Sequence, residues 1–317
     1  MQTFWNQLPP AFYVLAPMEG VTDNVFRSVV SRAAAPDVYF TEFVNAASFC
    51  SPKGIHSTRG RLALSDTKDE RTTPVVAQIW GTKPEQFAQM GKALAEMGYD
   101  GIDINMGCPV KDVIKTGACS ALINTPDLAG ELIAAAKESG LPVSVKTRIG
   151  FKEPAIEQWI GFLLQQDLAA LTVHARTQRE MSKVPAHYEA FSVVTELRDH
   201  LAPTTLIIGN GDILDRTQGD ALMREHNLDG AMIGRGVFSD PYCFEKLPQP
   251  HDRSALIELL RYHLDVFDLA ASEMPRKFDP LKRFFKIYIR EFDGASELRD
   301  KLMHTRTTAE ARAILTE

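Results

Sequence analysis

The stretch Ile102-Asp103-Ile104-Asn105-Met106-Gly107-Cys108-Pro109-Val110-Lys111 indicates how the chain is organised. It begins as a short apolar run typical of a buried strand, and it breaks at Gly107 and Pro109, which do not continue regular structure easily. Between them lies a single thiol, with an amide three residues before it and an ammonium group three residues after it. A thiol on a loop at the end of a strand is well placed for chemistry, yet most free cysteines are small buried hydrophobic residues. This stretch alone leaves both interpretations open.

The composition is that of an ordinary globular protein. The chain has 317 residues, 44% of them hydrophobic and 24% charged, which suffices for one large domain or two modest ones. Its first ten residues lack the segments of a signal peptide, and no run approaches the roughly 18 apolar residues of a membrane span. The four cysteines have no C-x-x-C spacing, so we expect no metal site, reduced thiols and a cytoplasmic location. The net charge of −6 argues weakly against nucleic acid as a partner.

Short apolar runs alternate with helical patterns from residue 11 to about 235. Such strands, alternating with helices, indicate a parallel sheet, and eight units predict an α/β fold of the (β/α)8 TIM barrel type. No G-x-G-x-x-G follows the first run, which argues against a dinucleotide-binding open sheet. The predicted strands are Tyr13–Ala16, Val38–Phe43, Val75–Ile79, Gly101–Asn105, Val143–Thr147, Ala170–His174, Leu206–Gly209 and Gly230–Ile233. The predicted helices between them are Lys83–Met97, Asp127–Ser139, Pro154–Gln166, Tyr188–His200 and Asp215–Asn227.

Polar, charged and glycine residues gather where these strands end, which in a barrel is the rim that carries the active site. The loops after strands 7 and 8, at 209–212 and 234–236, are the usual phosphate site of this fold, and Arg235 adds a charged donor. A sugar phosphate or flavin mononucleotide (FMN) would fit such loops. The flavin is favoured because Gln78 can bond its pyrimidine edge, Lys146 can place positive charge near N1, and 16–18 offer a flat apolar surface. A sugar-phosphate isomerase is the poorer alternative, with Glu42 as its one strand-end glutamate.

Taken together, these strand ends resemble the bacterial tRNA-dihydrouridine synthases, which are FMN-dependent. The resemblance covers the whole barrel and rests on motifs that occur in the family's order. They are Ala-Pro-Met-Glu-Gly-Val-Thr-Asp (16–23), Asn-Met-Gly-Cys-Pro-Val-Lys (105–111), Val-Lys-Thr-Arg-Ile-Gly (145–150), His-Ala-Arg-Thr (174–177), Gly-Asn-Gly-Asp (209–212) and Ile-Gly-Arg-Gly (233–236). One departure is Lys-Thr-Gly-Ala-Cys-Ser at 115–120, where relatives often carry more glycine, which leaves the shape of that loop open.

The resemblance implies FMN at the barrel mouth, NADPH as reductant, tRNA as substrate and a helical C-terminal domain that grips the tRNA. It implies Cys108 as the catalytic proton donor. The residues that it places against FMN are Ala16, Pro17, Met18, Gln78, Lys146, His174, Asn210, Gly211, Asp212, Gly234 and Arg235. Those that it places around the uracil and its phosphates are Asn105, Lys111, Arg148 and Arg176.

The chemistry that follows is reduction of the uracil C5=C6 bond in specific D-loop uridines to 5,6-dihydrouridine. Hydride from reduced flavin adds to C6, and C5 then needs a proton from Cys108. We therefore expect a thiol that stays protonated, without the lowered pKa of a nucleophile. A stacked base cannot reach a flavin in a pocket, so the uridine must be extruded, which costs least in a loop.

The C-terminal region is predicted to be helical and to bind RNA. A proline-rich linker near 247–250 separates a catalytic barrel, 1–245, from a helical tRNA-binding domain, 246–317. Residues 276–290 contain six basic residues and one acidic residue, a net +5 in a chain of net −6. Apolar residues at 281, 285, 288 and 292 predict the inward stripe of a helix that lies away from the flavin. A solvated charged face is the alternative to phosphate binding by Lys282, Arg283, Lys286 and Arg290.

Two other functions remain open at this point. An FMN barrel of the dihydroorotate dehydrogenase kind would act on a free pyrimidine and would not need a basic helical appendage. An RNA-binding protein whose barrel has lost catalysis would be colourless, although Cys108, Lys146 and the phosphate loops argue against it. A monomer is expected.

Overall fold

A closed parallel sheet of nine strands forms the barrel in this computed structural model, which describes residues 3–64 and 72–316. Strand β2 pairs with β4 as well as with β1, and this pairing closes the barrel and confirms the predicted fold. The strands are β1 (Phe12–Leu15), β2 (Val38–Phe40), β3 (Val44–Asn45), β4 (Val75–Trp80), β5 (Gly101–Met106), β6 (Val143–Gly150), β7 (Ala170–Thr177), β8 (Leu206–Asn210) and β9 (Gly230–Ile233).

The single strand predicted over 38–43 is wrong, because the backbone divides there into β2 and the short β3. At the break, the Gln78 N–H donates to the Thr41 hydroxyl at 3.1 Å instead of to a backbone carbonyl. A side chain thus replaces one rung of the ladder, and β3 resumes pairing with β4 further along. Together β2 and β3 occupy one strand position of the barrel.

Helices cover the outside of the sheet and make up the C-terminal region. They are α1 (Asn24–Ala34), α2 (Ala46–Phe49), α3 (Gly54–Thr58), α4 (Pro84–Glu96), α5 (Lys111–Ile114), α6 (Pro126–Lys137), α7 (Gly161–Leu164), α8 (Ala190–Leu201), α9 (Arg216–His226), α10 (Gly236–Ser239), α11 (Arg253–Glu273), α12 (Phe285–Tyr288), α13 (Ala295–Met303) and α14 (Thr308–Ile314). The 3-10 segments are Phe4–Gln7, Cys119–Asn124 and Asp279–Phe284, and Ile156–Ile160 is a π-helical turn. Of the described helices, none has the length and hydropathy that a membrane crossing requires.

Local sequence signals explain several helix ends. The Asp23 carboxylate accepts the Phe26 N–H at 2.9 Å and caps α1, and Asp215 caps α9 in the same way. Pro84 opens α4, where its missing N–H costs nothing. Asn227 ends α9 in the left-handed conformation, with φ +54°. The helix predicted over 154–166 is only partly correct, because its first turn is the π-helical turn and α7 is short.

The two faces of each strand have different surroundings. Ile102, Ile104 and Met106 of β5 point outward into the apolar layer beneath the helices. The alternate residues, Asp103 and Asn105, point into the barrel. The interior is apolar on one side, where Trp5 from the first 3-10 segment packs with residues such as Phe12, Val14, Phe40 and Met232. Polar interior side chains lie further toward the carboxyl ends of β4 to β8, and they include residues of the predicted site.

The C-terminal helices pack directly on the barrel helices. Phe284 stacks on Phe26 of α1 with ring centroids 4.8 Å apart, and Arg276 donates to the Asp23 carboxylate at 2.7 Å. Apolar residues of both regions belong to one continuous cluster. The boundary at 245 therefore stays a prediction, since the two regions share a core.

The basic segment departs from its predicted shape. Residues 276–290 do not form one helix, because a 3-10 segment precedes the single α-turn of α12. Leu281, Phe285 and Tyr288 are buried as expected, but Phe284 and Ile287 are also buried, so the apolar face is wider than one stripe. One residue of this segment reaches a barrel loop, and the predicted separation of the segment from the flavin stays a prediction. A Cβ built on Gly20, in the loop after β1, would lie 2.8 Å from an Arg283 guanidinium nitrogen.

We predict that His263 contributes to acid sensitivity. Its buried imidazole lies 2.8 Å from the Tyr288 hydroxyl, and burial lowers its pKa to about 3. An unfolded histidine titrates near pH 6.5. Between about pH 6.5 and 3, the unfolded chain therefore holds a proton that the folded chain lacks, and stability falls as pH falls. This group should cost about 2 kcal/mol at pH 5.

The test compares urea unfolding at pH 7 and pH 5. The double variant His263→Phe/Tyr288→Phe removes both partners of the hydrogen bond and should lose that part of the pH dependence. Replacing the exposed His200 by Gln should leave the dependence as in the parent protein. A double variant with the parent's pH dependence would show that the buried histidine does not couple to folding.

Candidate active site

The loop that carries Cys108 is held by the side chain of Asn105. The Asn105 Oδ1 atom accepts the backbone N–H groups of Gly107 and Cys108 at 3.1 and 2.9 Å. From the other side, Ser120 donates to the Cys108 carbonyl at 2.7 Å, and Arg148 Nε donates to the Gly107 carbonyl at 2.7 Å. The thiol is therefore fixed at the carboxyl end of β5, at the rim where the sequence placed it.

The expectation of an unperturbed thiol is wrong for this structure. The pKa of Cys108 is lowered to about 6, chiefly because the Cys119 thiol donates a hydrogen bond to its sulfur. The Val110 N–H and the charges of Arg148 and Lys146 act in the same direction, against the opposing effect of burial. Burial and the neighbouring Cys108 sulfur raise the pKa of Cys119, so Cys119 holds the proton of the pair.

Cys119 lies in the loop whose shape the sequence left open. Its backbone has φ +55°, a left-handed conformation that a side chain normally disfavours, and its side chain is fully buried. Glycine would adopt this conformation without cost, which explains why a glycine-rich sequence suits this loop. In this chain, a thiol occupies the position and contacts Cys108.

A cavity of about 450 Å³ opens at the ends of β1, β6, β7, β8 and β9. All of the predicted FMN contacts except Gln78 line it, namely Ala16, Pro17, Met18, Lys146, His174, Asn210, Gly211, Asp212, Gly234 and Arg235. Gly236 of the predicted phosphate loop also lines the cavity, and four lining residues were not predicted, namely Ser182, Ile213, Leu214 and Ser239. Three of these lie within four residues of a predicted contact in the chain and could have been found that way. Ser182, in the loop after β7, gave no signal.

Gln78 is not among the residues that line this cavity. Its side chain is fully buried, its Nε2 atom donates to Asp103 at 2.7 Å, and its Oε1 atom accepts from Asn105 at 2.9 Å. The flavin contact of Gln78 stays a prediction. The amide is already oriented by two protein partners.

Lys146 is the cation at the base of the cavity. Its ammonium group donates to Asn210 Oδ1 at 2.9 Å, and Asn210 in turn donates to the Met232 carbonyl at 2.9 Å. Burial and nearby Arg148 lower the pKa of Lys146 to about 8. A buried ammonium with a lowered pKa gains from a bound anion.

His174 and Asp212 adjoin this cation with two arginines. Arg176 donates to Asp212 and, at 3.1 Å, to His174 Nε2. A guanidinium cannot accept a hydrogen bond, so Nε2 is the acceptor and the ring proton is on Nδ1. Burial and the surrounding cations keep the pKa of His174 well below its usual range, so the ring is neutral. Arg235 is more exposed and reaches Asp212 at 2.7 Å.

The predicted RNA contacts on the barrel divide into exposed and buried residues. Lys111, three residues after Cys108, is exposed. Asn105, Arg148 and Arg176 are buried, and their contact with the uracil and its phosphates stays a prediction. Arg148 donates to the Thr177 and Met181 carbonyls, and Arg176 Nε donates to the Val184 carbonyl at 2.7 Å. Both guanidiniums thus hold the loop after β7 over the rim.

The residues of the cavity fit a planar ring with a phosphate. Gly211 has φ +128°, and a Cβ there would lie 3.1 Å from the Ala186 Cβ and 3.2 Å from the His174 ring. A Cβ at Gly234 would project toward Ala16 and Met18. The absence of side chains at Gly211 and Gly234 therefore leaves space in the cavity between the strand ends. Lys146 and Arg235 supply positive charge for an anion. In the described part of the chain, His, Cys, Asp and Glu form no group of three that could hold a metal ion.

We predict that Cys119 sets the acidity of Cys108. The Cys119→Gly variant removes the thiol donor while relieving the left-handed backbone, so the pKa of Cys108 should rise by about one to two units. The pH dependence of iodoacetamide labelling at Cys108, followed by peptide mass spectrometry, measures this shift. The matched control is Cys243→Ala, which removes another buried thiol, outside the cavity lining. Equal midpoints in the Cys119→Gly variant and the control would contradict the assignment.

Comparisons with known proteins agree with this geometry. One solved structure, an old yellow enzyme homologue from Zymomonas mobilis, superposes with a TM-score of 0.51 at 12% identity, covering 79% of this chain and 95% of that chain, and supports the barrel fold alone. A probable tRNA-dihydrouridine synthase from Staphylococcus aureus (strain COL) is 54% identical over 317 residues, which is 100% of this chain and 95% of the relative. Probable tRNA-dihydrouridine synthase 2 from Bacillus subtilis (strain 168) is 53% identical over 315 residues, 99% of this chain and 96% of the relative. The family model for dihydrouridine synthase (Dus) matches residues 14–317, and the chain belongs to that family.

Proposed function

We propose that this protein is a flavin-dependent oxidoreductase that reduces specific D-loop uridines of tRNA to 5,6-dihydrouridine, with FMN as its flavin and NADPH as reductant. One observation carries the proposal. The Cys108 thiol is held at the carboxyl end of β5, on the same rim as the cavity that Lys146 and the glycine loops line. Family membership and the names of the relatives support the same reaction.

The cavity residues supply the binding site for the cofactor. Ala16, Pro17 and Met18 offer an apolar wall, and Arg235 with the glycine loops offers donors to a phosphate. When bound, FMN in its reduced form supplies the hydride that adds to uracil C6. Lys146 offers positive charge to the flavin ring. His174, neutral with its proton on Nδ1, adds a hydrogen-bond donor to the cavity lining.

Cys108 supplies the proton that C5 requires, which completes the addition of hydride and proton across the double bond. In the protein alone, a pKa of about 6 favours the thiolate at neutral pH. An anion bound beside Lys146 and Arg148 offsets the two charges that favour the thiolate. It thereby raises the thiol's pKa, while the largest lowering effect, the hydrogen bond from Cys119, remains. The loop after β7, held by Arg148 and Arg176, shields the proton transfer from water.

The tRNA backbone meets exposed cations around the mouth. Lys111 is exposed three residues after Cys108, and Arg283 lies against the loop after β1. Lys286 is also exposed, with its ammonium 5.9 Å from the Phe238 ring of α10. The other two predicted contacts are less available, because Lys282 pairs with Asp279 at 2.9 Å and the Arg290 side chain is only 23% exposed. The uridine enters the cavity extruded from its loop.

The first test replaces the proton donor. Cys108→Ala should purify with FMN and accept electrons from NADPH, since the thiol is not among the residues that line the cavity. Dihydrouridine formation in tRNA from cells lacking this gene should be slower by roughly 10²- to 10⁴-fold, the usual range for loss of an acid catalyst. Mass spectrometry of digested tRNA measures the product, and flavin absorbance measures the reductive step.

The matched control is Cys50→Ala, a partly exposed thiol outside the cavity lining, which should retain the parent rate. Free uridine should react far more slowly than tRNA. Parent-like activity of Cys108→Ala would make Cys108 structural, and efficient reduction of free uridine would favour an enzyme of free pyrimidines.

The second test concerns the basic segment. Replacing Arg283 and Lys286 together by Gln removes two exposed charges and leaves the buried apolar face unchanged. Affinity for tRNA should fall, and the slope of log K against log salt should shrink by up to about 0.9 for each lost phosphate contact. Filter binding at several salt concentrations measures both quantities.

The control removes two charges elsewhere. Lys92 on α4 and Arg224 on α9 are exposed on helices that cover the barrel wall, and their double Gln variant has the same net charge. That variant should keep the parent's salt slope. An equal loss of tRNA affinity in the two variants would mean that only net charge matters. No loss of affinity in either variant would mean that the basic segment is a solvated charged face.

A further inference from the structure

A buried carboxylate beneath the Cys108 loop has no role in the proposed chemistry. Asp103 of β5 is fully buried inside the barrel. Its Oδ1 atom accepts from the Ser144 hydroxyl and its Oδ2 atom accepts from Gln78, both at 2.7 Å. Burial raises its pKa to about 7. Withdrawing a carboxylate from water costs several kcal/mol unless its partners compensate, so its position in the barrel calls for a physical explanation.

A continuous series of hydrogen bonds connects Asp103 to the Cys108 turn. An ionised carboxylate only accepts, so Gln78 must direct its NH2 group toward Asp103. That leaves Gln78 Oε1 to accept the Asn105 NH2 group at 2.9 Å. Asn105 therefore directs its oxygen toward the backbone N–H groups of Gly107 and Cys108. Rotating the Gln78 amide by 180° would oppose like groups at two contacts, and rotating the Asn105 amide would do so at three.

We propose that Asp103 is a positioning residue for Cys108, which fixes the orientations of the Gln78 and Asn105 amides and thereby the turn that presents the thiol. This rests on the proposed function in that Cys108 is taken as the proton donor. The turn itself can be examined without RNA.

Ser144 makes this orientation independent of the charge on Asp103. A hydroxyl both donates and accepts, and Ser144 Oγ also lies 3.4 Å from the Ile102 carbonyl. If Asp103 is replaced by Asn, the new NH2 group can donate to Ser144, which then donates to Ile102. The amide oxygen still accepts from Gln78. The direction of every later hydrogen bond is kept as long as the hydroxyl is present.

The experiment compares Asp103→Asn, Ser144→Ala and their combination in the FMN-loaded protein. Each single variant should keep the parent's pH profile of Cys108 labelling by iodoacetamide, measured by peptide mass spectrometry. In the double variant, the NH2 group introduced at position 103 has lost the hydroxyl that would accept from it, so both amide orientations become possible. Its labelling midpoint should rise by about one pH unit, because the turn no longer holds the sulfur beside its donors. With tRNA, kcat should fall roughly 10- to 100-fold at unchanged KM.

Several outcomes would overturn the proposal. A double variant with the parent's labelling profile would show that the amides are oriented by something else. If the Asp103→Asn variant alone shifts the labelling midpoint as far as the double variant does, the charge of Asp103, and not the orientation of the amides, controls Cys108. If the double variant does not fold, the single variants decide, and a shift in either contradicts the proposal. Failure of the wild-type protein to form dihydrouridine would contradict the proposed function. The labelling result would still test whether Asp103 positions the Cys108 turn.

Discussion

The pairing of β2 with β4 is the constraint on which the rest of the structure depends, because it closes the sheet. Closure removes both sheet edges and gathers the carboxyl ends of the parallel strands on one rim. It also sends alternate side chains of each strand into an interior without bulk water. Every polar group placed there must find a protein partner or a ligand. The interior is apolar on one side and hydrogen-bonded on the other, and this division determines where chemistry can occur.

The polar side carries more positive than negative charge. Lys146, Arg148 and Arg176 are buried or nearly so, Arg235 adds a fourth cation, and the carboxylate neighbours of this group are Asp103, Asp212 and Glu180. Burial and mutual repulsion lower the pKa of Lys146 to about 8 and that of Arg148 to about 10. Such a cluster is stabilised when an anion binds. The cations that hold the loops therefore also provide the potential that attracts a phosphate and an electron-rich ring, and they influence the thiol through the same field.

The sequence was sufficient to predict the barrel and most of the cavity lining, for a physical reason. Strand alternation and strand ends are local properties, so Ala16, Lys146 and Asn210 could be placed on one rim without coordinates. The same alternation places Asp103 and Asn105 on one face.

Burial of Arg148 and Arg176 could not be predicted, because it depends on carbonyls of a loop that folds back over the rim. The contact between Cys108 and Cys119 likewise depends on how residues 109–118 return to the strand. The basic segment was misjudged because consecutive phenylalanines at 284 and 285 are both buried, which a single stripe does not describe.

Several residues with energetically unfavourable conformations or buried charges lie at the same rim. Of the described non-glycine residues with positive φ, Cys119, Met181 and Asp212 lie around the cavity or the Cys108 loop. Asp103 and Lys146 are ionisable groups withdrawn from water, and Cys108 has a lowered pKa. Each of these features costs free energy that the apolar layer beneath the helices must offset. Proteins retain such costs mainly where function requires them. Their convergence on this rim is observed independently of any relative, and it agrees with the place where the family resemblance puts the proposed active site.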